Sequence, residues 1–148
     1  MTKVLVAFIL IFHQINASAN IIPFDDCFSR SAERYSLSKD LLLAIAMTES
    51  NLNPNAIGPK NKNGSYDIGM MQINSNWIKT LESHGISEGD LIHACTNIDV
   101  GAWILANNIK AFGQKWMAVG AYNARTMWKR EVYVSKVLKH YTEISNRK

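Results

Sequence analysis

Cysteine, proline and long apolar runs are all scarce in this chain of 148 residues, which has two cysteines and three prolines. After the first dozen positions, no apolar stretch approaches the roughly 20 residues of a membrane-spanning helix, so we expect no such helix in the body of the chain. Basic residues are not clustered either, and no run of Lys and Arg is longer than a pair such as Lys129-Arg130. This argues against nucleic acid as the partner, because nucleic-acid-binding domains carry a basic patch or stripe.

The two cysteines, Cys27 and Cys95, have no CxxC spacing and no histidine pair nearby. A metal site of the usual kind needs such ligands, so we expect neither a metal nor another cofactor. An even cysteine count in an exported chain favours a disulfide, and the alternative is two buried free thiols. A bond across so long a loop would contribute about 4 kcal/mol by restricting the unfolded chain.

The first 19 residues have the pattern of a secretory signal peptide. Lys3 precedes an apolar run over residues 4–12, and Ala17-Ser18-Ala19 supplies the small residues of a cleavage site. The alternative is a short N-terminal membrane anchor, which the length of the apolar run disfavours. Cleavage leaves residues 20–148, a length that suits one domain with one core.

Apolar residues recur at helical intervals through most of the chain, which predicts a mainly α-helical domain. The first helix is predicted over residues 24–35. Ser38 is the expected N-cap of a second helix, which is apolar almost all round and therefore central and buried. Shorter or later helices are predicted over residues 75–84, 116–122 and 129–144.

Two further segments have local signals of their own. Thr96-Asn97-Ile98-Asp99 is similar to a capping box, and it predicts the start of a long helix that ends at Gly113. Asn63-Gly64 is a strong tight-turn signal, so we predict a small hairpin or irregular flap over residues 56–68.

Two acidic residues stand in contrasting surroundings. Glu49 ends an apolar segment, and burial there would raise its pKa so that it keeps a proton to donate to a leaving group. Asp67 lies in a polar turn that contains glycine. One acid in an apolar setting and one in a polar setting predict cleavage of a glycosidic bond. The alternatives are a solvent-exposed Glu49 at a helix end and an Asp67 that only braces the turn before Gly69.

Three short motifs resemble, in order, those of the lytic transglycosylase (SLT) domain family. They are Ala44-Ile45-Ala46 through Glu49-Ser50, Gly69-Met70-Met71-Gln72-Ile73, and Ala121-Tyr122-Asn123-Ala124. The resemblance covers nearly the whole mature chain, whose small size is similar to that of the specialised transglycosylases of type III and type IV secretion and pilus systems. It implies a mainly α, lysozyme-like single domain with a small hairpin or flap beside the active-site cleft.

The resemblance also implies a reaction for Glu49. This residue matches the family's catalytic acid, which cuts the β-1,4 bond between N-acetylmuramic acid and N-acetylglucosamine in peptidoglycan and then closes a 1,6-anhydro ring. The expected partners are glycan strands and components of a secretion or pilus apparatus, in the periplasm. The net charge of +4, which falls to +3 without Lys3, suits an anionic wall polymer.

Two alternatives to that reaction stay open. The stretch around Asp67 also resembles the part of animal lysozymes that carries their second catalytic carboxylate. A hydrolytic muramidase that uses both Glu49 and Asp67 is therefore one alternative. A catalytically weak wall-binding scaffold protein is the other.

Several motif residues are candidates for binding substrate. They are Ser50, Gly69, Met70, Gln72, Asn74, Tyr122 and Asn123. The amides of Gln72 and Asn74 either bind sugar N-acetyl and hydroxyl groups or tie the turn together. Of Met70 and Met71, we expect one to line the cleft and the other to fill the core.

The third motif contains the residues expected beside the catalytic acid. Tyr122 and Asn123 look like the pair that borders it in the family, although Tyr122 could instead be a buried tyrosine with a bonded hydroxyl. Tyr133 is predicted to approach the same cleft. Arg125 stands where the family usually has glycine, and a positive φ there would strain an arginine.

Overall fold

The computed structural model describes residues 22–113 and 115–147, so the predicted signal peptide lies outside the described residues. The described chain forms six α-helices and one antiparallel two-stranded hairpin, which confirms the predicted mainly α class. In chain order these are α1 (Asp25–Arg34), α2 (Lys39–Ser50), β1 (Asp67–Ile68), β2 (Ile73–Asn74), α3 (Ile78–Glu82), α4 (Ala94–Phe112), α5 (Lys115–Asn123) and α6 (Met127–Ser145). None of the described helices combines the length and the apolarity that crossing a bilayer requires.

Helix α2 is the central, buried helix, as predicted. The Ser38 hydroxyl caps its first turn by accepting a hydrogen bond from the Leu41 amide at 3.4 Å. Residues 41–46 are all buried, so this part of the helix has no solvent face. The helix ends at Asn51, which adopts the left-handed conformation. Glu49 therefore lies in the last turn of the helix, at the edge of the core.

A single buried amide ties the hairpin to helix α4. Asn97 has no exposed surface, and its side-chain nitrogen donates to the carbonyls of Ile68 and Leu91, both at 2.8 Å. Its side-chain oxygen accepts from the Met71 amide at 2.7 Å. Gly69 approaches Asn97 so closely that a Cβ there would lie 2.3 Å from the amide nitrogen, and its φ is +75°. Only glycine meets both conditions.

The hairpin turn lies further along the chain than the segment predicted to be a hairpin or an irregular flap, and that segment forms mainly the irregular alternative. Residues 69–72 connect the two strands, whereas Asn63 and Gly64 form a turn in the irregular loop before them. The strand register pairs Ile68 with Ile73, and both side chains are buried. The strands form where two apolar residues can face the core. The polar loop around Gly64 has no such pair.

The predicted capping box is wrong, because helix α4 begins at Ala94 and Thr96 lies inside its first turn. Asp99 does not cap this helix. Its carboxylate accepts hydrogen bonds from three side chains of the first helical segment, namely Ser31 at 3.1 Å, Arg34 at 2.7 Å and Tyr35 at 3.2 Å. A capping box does occur one segment earlier, between Ser87 and Asp90.

The predicted disulfide joins helix α1 to helix α4. Cys27 and Cys95 are bonded, with their Cα atoms 5.1 Å apart, and neither thiol is free. This separation lies within the usual range for a disulfide. The bond and the Asp99 contacts together fix the two helices against each other.

Removing the disulfide should destabilise the domain without changing its fold. For the Cys27→Ser/Cys95→Ser double variant, we expect a loss of about 4 kcal/mol in the free energy of unfolding, because the sequence separation of 68 residues makes the closed loop long. Urea denaturation measures this loss. Equal stability of the variant and the wild type would contradict the prediction, as would alkylation of two free thiols in the native protein.

Candidate active site

A cleft of about 930 Å³ lies between the hairpin and the ends of helices α2 and α5. Glu49 and Asp67 both line it, so the fold brings the two predicted acids to one site. Its other polar lining consists largely of amides and hydroxyls, from Asn61, Asn63, Ser65, Gln72, Asn74, Asn76, Thr80, Tyr122 and Asn123. Such a lining offers many hydrogen bonds to a ligand rich in hydroxyl and amide groups.

Glu49 receives one short hydrogen bond. The Tyr133 hydroxyl donates to its Oε1 at 2.5 Å, because helix α6 packs along α2 and brings this buried tyrosine to the end of the central helix. This contact with a residue that lines the cleft confirms the predicted approach of Tyr133. The bond holds the carboxyl group of Glu49 in one orientation.

The surroundings of Glu49 favour its protonated form. The pKa of Glu49 rises from 4.5 to about 7, chiefly because of burial, and the negative charge of Asp67 also raises it. The Tyr133 hydrogen bond and the positive charge of Lys136 lower the same pKa, because both stabilise the carboxylate. The carboxyl group therefore exchanges its proton near neutral pH, as a group that both gives and takes protons must.

Asp67 differs from Glu49 in its environment. Its Oδ1 accepts a hydrogen bond from the Asn74 side chain at 2.8 Å. The two residues lie directly opposite each other in the register of the hairpin. No other side chain of the described residues donates to this carboxylate. Asn74 also reaches the Ser65 hydroxyl at 3.3 Å. Asp67 thus faces the cleft and also contributes to the hairpin.

Gln72 ties the turn of the hairpin and also lines the cleft. Its side-chain nitrogen donates to the carbonyls of Gly69, at 2.8 Å, and Ala56, at 3.2 Å. The residue adopts a positive φ of 47°, which turns the chain back toward the second strand. The predicted role of tying the turn is therefore confirmed, and the binding of sugar groups by this residue of the cleft lining stays a prediction.

The expectation that either Met70 or Met71 lines the cleft is wrong. Both side chains are fully buried, because the turn points them into the core. Met71 packs against helix α4 at Gly101, where a Cβ would lie 2.8 Å from its Cε. Met70 contributes its carbonyl, which accepts a hydrogen bond from the Ser50 hydroxyl at 2.7 Å. These contacts join the first motif to the second through the backbone.

The other motif residues divide between the cleft and its support. Tyr122 and Asn123 both line the cleft, and the Tyr122 hydroxyl donates to the Met71 carbonyl at 2.9 Å. The candidates Gly69 and Ser50 are not among the residues that line the cleft: Gly69 packs against Asn97, and Ser50 bonds to the Met70 carbonyl. Arg125 lines the cleft without a positive φ, so the strain expected from its replacement of a glycine does not occur.

Sequence reasoning missed two residues that act on Glu49 or its cleft. Lys136 lies one helical turn after Tyr133, on the same face of α6, and that spacing was the available signal. Asn97 is the second missed residue, because it was placed in the predicted capping box. The available signal was that a buried asparagine that does not cap a helix is unusual inside one. Among the described residues, no group of three or more His, Cys, Asp or Glu side chains is arranged to hold a metal ion.

Comparisons with known proteins identify the family of this chain. Residues 26–137 match the model of the transglycosylase SLT domain family. The chain is 42% identical over 124 residues to the invasion protein IagB of Salmonella typhimurium, covering 80% of this chain and 77% of IagB. It is 39% identical over 125 residues to protein IpgF of Shigella flexneri, covering 81% and 82% respectively.

A solved structure shows the same fold. It is an inactive mutant of the lytic transglycosylase Slt from Pseudomonas aeruginosa, with a TM-score of 0.66 and 24% sequence identity. The match covers 84% of this chain but 24% of that much longer one. The predicted lysozyme-like fold is thereby confirmed.

The contact between Tyr133 and Glu49 predicts a pH effect. Activity should fall as the pH rises through about 7, since the proton of Glu49 is then lost. In Tyr133→Phe the carboxylate loses a donor, so the pKa of Glu49 rises and the alkaline limb of the kcat/KM profile should move up by about one pH unit. Tyr141→Phe, on the same helix, is the control. An unchanged or lower limb in Tyr133→Phe would contradict this.

Proposed function

This chain belongs to the transglycosylase SLT domain family and is a peptidoglycan lytic transglycosylase, and from that premise we propose that Glu49 cleaves the β-1,4 bond between N-acetylmuramic acid and N-acetylglucosamine with formation of a 1,6-anhydromuramoyl end. The observation that carries the proposal is the position of Glu49. It lies in the polar cleft with a pKa near 7 and a hydrogen bond from Tyr133.

The reaction needs two proton transfers in opposite directions. Protonated Glu49 first donates to the glycosidic oxygen, and the bond to the leaving sugar breaks. The carboxylate that remains is stabilised by the Tyr133 hydroxyl and the nearby Lys136. It then takes the proton of the muramoyl C6 hydroxyl as that oxygen attacks C1. Glu49 ends protonated and no water is consumed, so one carboxyl group serves both steps.

The amide-rich lining of the cleft suits the sugar part of the substrate. Asn61 and Asn63 come from the loop before the hairpin, Asn76 follows the hairpin, and Asn123 ends helix α5. Each amide supplies both a donor and an acceptor, which matches the N-acetyl and hydroxyl groups of the glycan strand. We assign the binding of the glycan to these side chains together with Gln72.

Asp67 is the basis of a second candidate function. It lines the same cleft, and Asn74 occupies one of its oxygens. We propose that its carboxylate stabilises the oxocarbenium-like transition state of the bond cleavage. If it also directs a water molecule to C1, the enzyme is a hydrolytic muramidase. The expectation that the carboxyl groups of Glu49 and Asp67 lie within about 10 Å of each other stays a prediction.

The biological setting is proposed from the relatives. IagB is named an invasion protein, and the chain covers most of its length. We propose that this enzyme acts in the periplasm and opens the wall locally for a secretion or pilus apparatus. A catalytically weak scaffold would not need an ionisable acid in the cleft.

Replacing Glu49 by Gln tests the proposal directly. The amide cannot donate the proton, so we expect wall cleavage to fall at least about a hundredfold, as for the loss of a general acid. A zymogram and the rate of release of soluble fragments measure this loss. Glu131→Gln, on the exposed side of helix α6, is the matched control. A Glu49→Gln variant with most of its activity would refute the assignment.

The same variant should remain folded. Folding raises the pKa of Glu49 from 4.5 to about 7, so the protonated group's contribution to stability is lost progressively as the pH rises from about 4.5 to about 7. The neutral amide avoids that loss. The Tm of Glu49→Gln relative to the wild type should therefore increase from about pH 5 to about pH 8, and the opposite trend would contradict the burial argument.

Asp67→Asn distinguishes the two roles of the second acid. If Asp67 stabilises the transition state, turnover should fall at least about tenfold, a barrier increase near 1.4 kcal/mol, while the Tm hardly changes. Asp26→Asn, on the surface of helix α1, is the control. A lower Tm with unchanged turnover per folded molecule would mean that Asp67 only braces the hairpin.

Mass spectrometry of the digested wall identifies the product. We expect 1,6-anhydromuramoyl ends, because Glu49 can perform both proton transfers. Reducing muramoyl ends as the main product would show hydrolysis instead.

A further inference from the structure

A second cavity, of about 220 Å³, adjoins the cleft at Glu49. Glu49 and Asn123 line both spaces, so the second cavity continues the cleft past the reacting acid toward helix α6. It is bounded by Thr48, Glu49, Asn123, Trp128, Lys129, Val132, Tyr133 and Lys136. A substrate bound in the cleft at Glu49 therefore has an adjacent space for a substituent.

The lining of this cavity differs from that of the cleft. Trp128 and Val132 are 64% and 50% exposed, so the cavity has an apolar wall open to solvent. Of its hydroxyls, Tyr133 donates to Glu49 and Thr48 donates to the Ala44 carbonyl at 2.8 Å. With those hydroxyls engaged, the cavity offers a sugar much less hydrogen bonding than the cleft does.

Two lysines give the cavity a positive charge. Residues 129, 132 and 136 recur at helical spacing, so α6 presents them on one face. The Lys129 ammonium lies 5.5 Å from the centre of the Trp128 ring, and neither Lys129 nor Lys136 forms a salt bridge among the described residues. Two cations beside an exposed apolar wall suit an anionic ligand with small aliphatic groups.

We infer that this cavity binds the acidic stem peptide carried by the muramoyl residue at the cleavage site. The inference rests on the proposed cleavage of peptidoglycan, whose muramoyl groups carry peptides with free carboxylates and small aliphatic side chains. Such a peptide is attached to the sugar that Glu49 acts on, so it must leave the cleft close to that residue. Lys129 and Lys136 pair with its carboxylates, while Trp128 and Val132 contact its aliphatic groups.

The test compares two substrates that differ only in the peptide. Glycan strands with intact stem peptides and the same strands stripped by an amidase are digested by the full chain. We expect the wild type to have the higher kcat/KM on the peptide-bearing strands. In Lys129→Gln/Lys136→Gln, the ratio of the two kcat/KM values should fall at least about fivefold, which corresponds to about 1 kcal/mol.

Two further variants separate charge from structure. Lys129→Arg/Lys136→Arg keeps both charges and should keep most of the preference. Lys139→Gln removes an exposed charge of the same helix that borders neither cavity, and it should leave the ratio unchanged. The wild-type preference should also weaken as salt is added, because exposed ion pairs are screened.

Several results would overturn the inference. An equal loss on both substrates would mean that the lysines act on Glu49 alone. Absence of any wild-type preference for peptide-bearing strands would exclude the stem peptide and leave an acidic segment of a protein partner as the occupant. An unchanged ratio in the double Gln variant would exclude the two lysines.

A binding measurement keeps this test separate from that of the proposed function. If the wild type cleaves neither substrate, the proposed function fails. Calorimetry then compares a disaccharide with and without its stem peptide, on Glu49→Gln and on the same variant with both lysines changed to Gln. The peptide should increase affinity at least about fivefold in the first protein, and this gain should disappear in the second. Equal affinities for the two ligands in the first protein would overturn the inference.

Discussion

The buried side chain of Asn97 is the interaction on which the cleft depends. It bonds to two carbonyls and one amide, which belong to strand β1, to the hairpin turn and to the segment before helix α4. An apolar residue there would leave up to three buried polar groups unpaired, at about 1–3 kcal/mol each. The hairpin carries Asp67 and Gln72, and the two strands are too short to hold themselves in place. The hydrogen bonds of Asn97, which belongs to helix α4, therefore hold the hairpin half of the cleft in position.

The other half of the cleft depends on how helix α6 lies along α2. The contact between these helices brings Tyr133 to Glu49, and the next turn brings Lys136 to the same carboxyl group. Tyr122 joins the two halves, because its hydroxyl bonds to the carbonyl of Met71 in the hairpin turn. Three helices and the hairpin thus converge on one acid. The disulfide lies between α1 and α4, where it stiffens the support of the hairpin rather than the site itself.

The features that sequence predicts best are those with local signals. The Ser38 cap and the apolar run after it predict helix α2, and with it the place of Glu49 at the end of the core. Asn97 could not be assigned in this way, since it bonds to Ile68 and Met71, 29 and 26 residues away. The hairpin was misplaced because the Asn63-Gly64 turn signal is local, whereas the strands form where Ile68 and Ile73 can be buried together. The expectation that Met70 and Met71 point to different sides also failed, because they lie in a tight turn and not in a strand.

The balance around Glu49 explains why a single carboxyl group can be proposed for both proton transfers. Relative to a solvent-exposed glutamate, a pKa raised from 4.5 to about 7 corresponds to an added preference of about 3 kcal/mol for the protonated form. In a carboxyl group buried without partners, the charged form would be disfavoured much more strongly, and the group would not release its proton near neutral pH. Tyr133 and Lys136 limit that preference, because they stabilise the charged form that must exist between the two steps. Burial makes Glu49 an acid, and these two neighbours let it become a base.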